Sequence, residues 1–170
     1  MDGGFLELVE KQVGSDGKAG WPVAVKDRIA YYPDRTSIGG NAAVTFLWTM
    51  RDAVLPKLEK KHLAIATNFY TPAGLEGMIR NILGNPCIRY VLMLGEEYSS
   101  QSKSDTISDK TSANAIRTFF EMGLDGNRRL PGFETAVHIA RNIPIEMVDA
   151  VRGNVPLIDL NRRMPHASLD

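Results

Sequence analysis

Leu63-Ala64-Ile65-Ala66-Thr67-Asn68-Phe69-Tyr70-Thr71-Pro72-Ala73-Gly74-Leu75-Glu76 decides the fold. Residues 63–66 form an apolar run of strand length. Leu75, Met78, Ile79 and Ile82 then recur three or four apart, the stripe of an amphipathic helix over 73–83. Thr71 suits an N-cap, and Pro72 fits the first helical position, where its missing N–H costs nothing. Residues 67–72 are therefore expected at the carboxyl end of a strand and at a helix N-terminus, the usual ligand position in open α/β sheets.

The helix is followed by the turn signal Gly84-Asn85-Pro86 and an almost wholly apolar run over 88–94. A run without alternation is expected of a parallel strand covered on both faces. Strand, helix and strand make a right-handed βαβ unit. Its second strand ends in Gly95-Glu96-Glu97, so both strand-end loops should open on one edge of the sheet.

The rest of the chain reads as α/β around this unit. A short helix over 5–13 and a glycine-bearing linker over 14–20 precede the domain. Residues 29–32 are β-prone. Residues 42–48 suit a buried strand, although Leu47, Met50, Val54 and Leu58 also fit a helical stripe; Pro56 starts a new turn. The serine-rich segment 99–110 lacks an apolar stripe and is expected to be the most mobile internal segment. A helix over 112–122 ends at Gly123. Short helices over 133–139 and 144–151 and a last strand over 155–160 complete the pattern. The expected organisation is an N-terminal helix and linker (1–20), one domain with a mostly parallel sheet flanked by helices (21–160) and a frayed tail (161–170).

Composition narrows the function classes. The 170 residues carry 20 basic and 20 acidic side chains, for zero formal net charge. That balance argues against nucleic acid or an anionic membrane surface as a partner. The three histidines and one cysteine have no metal-ligand spacing. No apolar run approaches a membrane span, and the first residues do not resemble a secretory signal, so a cytoplasmic protein is expected.

The candidate ligand-binding residues are Thr67, Asn68, Phe69, Tyr70, Thr71, Gly95, Glu96, Arg128 and Arg129. Phe69 and Tyr70 either stack on a ligand or plug their loop. The Asn68 amide both donates and accepts, which suits a nucleobase or a corrin amide, or else stabilises a turn. Gly95 permits close backbone approach or simply ends a strand. Glu96 and Glu97 could act as acid or base or accept from a sugar hydroxyl; Glu96 is the catalytic candidate, and Glu97 is expected to be a solvated charge. Arg128 and Arg129 are a candidate phosphate contact, with surface solvation the alternative. His138, in an apolar context, is expected to be structural, and Cys87 a buried, inert core residue.

Gly74-Leu75-Glu76, Asn81-Ile82, Asn85-Pro86, Ile88-Arg89 and Leu94-Gly95 with its acidic follower, together with the later blocks 119–132 and 143–160, resemble the corrinoid-binding domain of the tetrahydromethanopterin S-methyltransferase A-subunit. They look equally like relatives of that domain attached to thymidylate synthases. The resemblance implies a Rossmann-like α/β fold. It also implies a corrinoid at the strand ends, held through a histidine in the loop before Gly74-Leu75-Glu76. Here that loop carries Phe69-Tyr70-Thr71, and the nearest histidine in sequence is His62, before the strand. The expectation is thus a ligand-binding domain without that lower cobalt ligand and with no other metal site, accessory to one-carbon or pyrimidine nucleotide (thymidylate-type) metabolism. Its partners would be a small anionic or nucleotide-like ligand and an enzyme of that metabolism; a homo-oligomer stays open. A cobamide-binding methyl carrier and a small nucleotide-processing enzyme are the alternatives.

Overall fold

The computed structural model describes residues 29–31, 40–85, 87–97 and 111–163. Strands β1 (Ile29–Tyr31), β2 (Ala42–Thr45), β3 (Leu63–Thr67), β4 (Tyr90–Met93) and β5 (Leu157–Asp159) form one sheet in the order β1-β3-β2-β4-β5. The last four in that order are mutually parallel; β1 adds antiparallel to the edge at β3. Helices α1 (Arg51–Val54), α2 (Leu75–Leu83), α3 (Ser112–Met122), α4 (Ile145–Asn154) and α5 (Leu160–Arg163) connect or follow them. The result is a Rossmann-like α/β arrangement.

Both faces of the sheet are covered, which explains why its strands read as continuous apolar runs. On one face Ala43, Ile65, Val91 and Met93 pack with Ile79 and Ile82 of α2, Ile116 and Phe119 of α3, and Val148 and Val151 of α4. On the other, Ala42, Val44, Leu63 and Ala66 pack with Phe46 and Val54, backed by Leu55 and Leu58. Period-two alternation along β2 therefore sends successive apolar side chains into two different cores.

Local chemistry sets several boundaries. Thr111 is the N-cap of α3 and its side chain accepts from the Asn114 N–H at 3.2 Å. Gly123 ends that helix at φ 80°. Pro56 opens the 3-10 turn Leu55–Lys57. Thr71 caps a 3-10 turn, Pro72–Gly74, that leads into α2; its backbone is extended but its side chain makes no capping bond.

Other elements differ from the sequence reading. Residues 133–139 are not a helix. The Ala136 and Val137 N–H groups both bond the Phe133 carbonyl and the turn stops there. Val137 and Ile139 are buried on either side of exposed His138, an extended alternation, and His138 bridges Arg129. His138 is thus not a core histidine. Cys87 is half-buried, because β4 begins only at Tyr90 and Cys87 sits in the preceding turn. Glu97 is not simply solvated: its carboxylate accepts from the Ala113 N–H at 2.6 Å, at the N-terminus of α3. Asn161 to Arg163 are helical rather than frayed. The expectations for 1–20 and 99–110, and for the tail beyond 163, lie outside the described residues.

Glu76 staples α2 to the 139–142 segment. Its carboxylate pairs with Arg80 at 2.7 Å and accepts from the Ala140 N–H at 2.9 Å, while Arg80 also donates to Asn142. Burial pushes this carboxyl up, but the Ala140 N–H, Arg80 and nearby His138 outweigh it and hold it below its ordinary value of 4.5. A depressed folded-state value means that the contribution is present above about pH 4.5 and is lost as pH falls through the lower folded value. Glu76→Gln is expected to cost about 1 kcal/mol at neutral pH. Urea midpoints between pH 7 and pH 3 should fall less for the variant than for the native chain; parallel profiles would contradict this.

Candidate functional site

The parallel strands end on one edge at Thr45, Thr67, Met93 and Asp159. The chain runs from β2 to β3 on one side, then returns to place β4 on the other side of β2. The strand order thus reverses between β2 and β4, where Thr45 and Met93 are direct register partners. Such a switch point opens a crevice, because the loops leaving the two strands diverge.

The loop after β2, residues 46–50, is the hub of this edge. The Phe46 N–H bonds the Thr67 carbonyl at 3.1 Å, and the Leu94 N–H bonds the Thr45 carbonyl at 3.0 Å. The Leu47 carbonyl is held twice, by the Phe69 N–H at 3.3 Å and by Asn68 Nδ2 at 2.9 Å. Asn68 Nδ2 also donates to the Thr49 carbonyl at 3.0 Å. Trp48 N–H bonds the Glu96 carbonyl, and Glu96 N–H bonds Thr49 Oγ1 at 2.7 Å. Asn161 Nδ2 reaches the Gly95 carbonyl at 2.9 Å. The loops after β2, β3 and β4 and the start of α5 are thereby tied together.

Two backbone conformations in this network are strained for ordinary residues. Leu47 is fully buried with φ 46°, a left-handed conformation that costs a non-glycine residue on the order of 1–2 kcal/mol. The two donors on its carbonyl and its burial hold it there. Gly95 has φ 96°, and a Cβ there would lie 2.5 Å from the Phe46 carbonyl oxygen and 2.6 Å from Thr49 Oγ1. The close approach that this glycine allows is to the chain's own loop.

Beneath the loops, a cleft lies between the sheet and α2. It is lined by Thr45, Thr67, Asn68, Phe69 and Tyr70 at the strand ends, by apolar side chains such as Ile65 and Val91, and by Gly74 and Gly77 on the facing side. Tyr70 packs against Trp48 with ring centroids 4.8 Å apart at 54°. Trp48 is partly exposed, so the pair presents aromatic surface at the edge.

Of the residues expected from sequence, Thr67, Asn68, Phe69 and Tyr70 come together at the cleft. Thr71 is exposed beside it. Gly95 and Glu96 belong to the neighbouring loop and do not line it, although Glu96 is locked to Trp48 and Thr49 through its backbone. Arg128 and Arg129 do not line it either. The Arg128 guanidinium donates to the carbonyls of Ile139, Ala140 and Ile143, so those donors organise the chain that precedes α4. Arg129 is exposed. The sequence reading missed Thr45, Trp48, Thr49 and Asn161. A polar Thr45 inside the apolar run 42–48 was the available signal.

The fold and the edge define a doubly wound α/β domain whose strand-end loops converge at a switch point. No protein-family model matches the chain. Among characterised proteins it is similar to the A 1 subunit of tetrahydromethanopterin S-methyltransferase from Methanothermobacter thermautotrophicus, 26% identical over 155 residues, covering 90% of this chain and 57% of that protein. The Methanothermobacter marburgensis counterpart aligns with the same identity and coverage. The A 1 subunit from Methanobrevibacter ruminantium is 28% identical over 88 residues, 51% of this chain and 32% of that protein. The chain is a distant homologue of these proteins and spans between a third and three-fifths of their length. No described helix is long and apolar enough to cross a membrane. The described residues contain no group of three or more His, Cys, Asp or Glu placed to hold a metal ion.

Proposed function

We propose that this chain is a cytoplasmic ligand-binding domain of the methyltransferase A-subunit superfamily that holds its ligand at the switch-point edge without a histidine–cobalt bond. In this reading it is accessory to one-carbon or pyrimidine nucleotide metabolism, beside a partner enzyme. The observation that carries the reading is the loop before Gly74-Leu75-Glu76, at the position where the resemblance to the methyltransferase implies a cobalt-ligating histidine. Here Tyr70 occupies that loop, lines the cleft and packs on Trp48. His62 lies in the turn before β3, at the opposite end of that strand, beside Glu59. His138 is exposed on the Arg129 bridge.

A corrin fits this reading as a flat apolar body resting on the aromatic edge, held by burial and hydrogen bonds to its rim. A tyrosine side chain has no nitrogen to offer cobalt, unlike an imidazole. The test is titration with cobinamide, which carries no base of its own, followed by electron paramagnetic resonance of the Co(II) form. The expected spectrum has no nitrogen coupling in the native chain and gains it in Tyr70→His. Nitrogen coupling in the native chain would instead favour a histidine-ligated methyl carrier. Absence of any cobinamide affinity would remove the corrin while leaving a smaller ligand.

A further inference from the structure

Among the described residues, two buried polar atoms at this cleft have no hydrogen-bond partner: Thr45 Oγ1 and Asn68 Oδ1. Thr45 is 3% exposed and Asn68 4%. Leaving such groups unsatisfied is costly, so a native structure rarely keeps two side by side without a use. The Asn68 orientation follows from chemistry. Both neighbours of its Nδ2 are carbonyl oxygens, which only the NH2 end can satisfy, so Oδ1 is the atom left over. Thr45 is the register partner of Thr67 on the adjacent strand, roughly 5 Å away, and Asn68 is the next residue after Thr67; all three line the cleft. An acceptor and a hydroxyl therefore stand together at the rim of an apolar cleft.

The lining sets the size and charge of what would enter. Among the described residues, no Asp, Glu, Lys, Arg or His lines the cleft. The cleft encloses about 60 Å³, room for roughly four to six waters. That matches one ring within the cleft, with any larger body resting across its open mouth. Gly74 and Gly77 thin the facing side, where Met78 and Ile82 supply apolar walls and the buried Asn81 adds a further polar side chain.

We propose that the cleft receives the lactam edge of a neutral single-ring heterocycle, whose ring N–H donates to Asn68 Oδ1 and whose C=O accepts from the Thr45 hydroxyl. A cis N–H/C=O pair meets both orphaned atoms at once, and the flat ring fills the space between the sheet and α2. This deepens the proposed function by naming the group that is read at its site; it rests on the strand-end edge being the ligand site and requires no cobamide. The recognition excludes a phosphate or carboxylate from the cleft itself, since no cation is there to receive it.

The test uses uracil and 2-pyridone, each paired with its N-methylated form, 1,3-dimethyluracil and N-methyl-2-pyridone. Binding is followed by amide chemical shifts in nuclear magnetic resonance titrations. The expected result is binding of the N–H compounds with shifts at Asn68 and Thr45, and about tenfold weaker binding of the methylated forms. Thr45→Val should weaken uracil binding by about the same factor, while the unliganded variant melts at the same temperature or up to about 4 °C higher. Thr45→Ser, which keeps the hydroxyl, should bind as the native chain does. Equal affinity for the methylated compounds, or unchanged uracil affinity in Thr45→Val, overturns the lactam assignment. Failure of both N–H compounds to bind a chain that takes up cobinamide also overturns it and leaves the proposed function standing. Failure of all these probes, cobinamide included, overturns both.

Discussion

Asn68→Asp lowers the stability of the fold by about 3–5 kcal/mol at pH 7. The substitution changes almost no volume, so the loss is electrostatic. Asn68 Nδ2 donates to the Leu47 and Thr49 carbonyls, and in the variant an oxygen faces both. The carboxylate is buried, and neither residue it reaches carries a positive charge. The Leu47 carbonyl loses one of its two donors, and Leu47 is the residue held at φ 46°. The pH dependence has a definite sign. Burial beside carbonyls raises the folded-state pKa of this aspartate above its unfolded value of about 3.9, so the charge part of the penalty vanishes below that value and grows as pH rises, while the loss of one of two donors remains at every pH. Denaturant midpoints at pH 7 and pH 4 check this. A variant within about 0.5 kcal/mol of the native chain at pH 7 would show that the Asn68 bridge is not what joins the β2 and β3 loops.

Gly95→Ala is expected to cost about 3 kcal/mol or more, from two independent sources. The positive φ is unfavourable for any residue with a Cβ, by on the order of 1–2 kcal/mol. The new Cβ would also press on the Phe46 carbonyl oxygen at 2.5 Å and on Thr49 Oγ1 at 2.6 Å. Relief requires the loops after β2 and β4 to separate, at a further cost of about 1–3 kcal/mol. Because Trp48 and Thr49 are bonded to Glu96 within the same junction, the strain reaches the Trp48–Tyr70 pair. Urea unfolding followed by circular dichroism reads the stability, and tryptophan emission in the folded state reads the junction. Native-like values for both would mean that Gly95 is a simple strand terminator.

Much of the fold is legible in local chemistry. The helix over 112–122 follows from an apolar spacing bracketed by a capping threonine and a glycine with positive φ, all within one stretch of chain. The strand at Leu63–Thr67 and the helix after it follow in the same way, as does the placement of Asn68 and Tyr70 at a strand end. The Phe133–Ile139 region differs because a mixed apolar run of that length carries no decisive period. Its extended form depends on Arg128 gathering the carbonyls of Ile139, Ala140 and Ile143 from ten or more residues away.

Chain order by itself determined that a strand, a helix and a second strand follow one another from Leu63 onward, and that a loop rich in aromatic and amide groups ends the first of them. Only the tertiary structure decided that β2 lies between those two strands. That insertion puts the loop after β2, with Thr45, Trp48 and Thr49, at the centre of the edge instead of beside it. The reason is physical. Periodicity reports which face of an element is buried, but which strand it pairs with depends on burial shared among distant segments. The same non-local pairing satisfies the Asn68 amide hydrogens on Leu47 and Thr49 and leaves its oxygen, with the Thr45 hydroxyl, unpaired at the cleft.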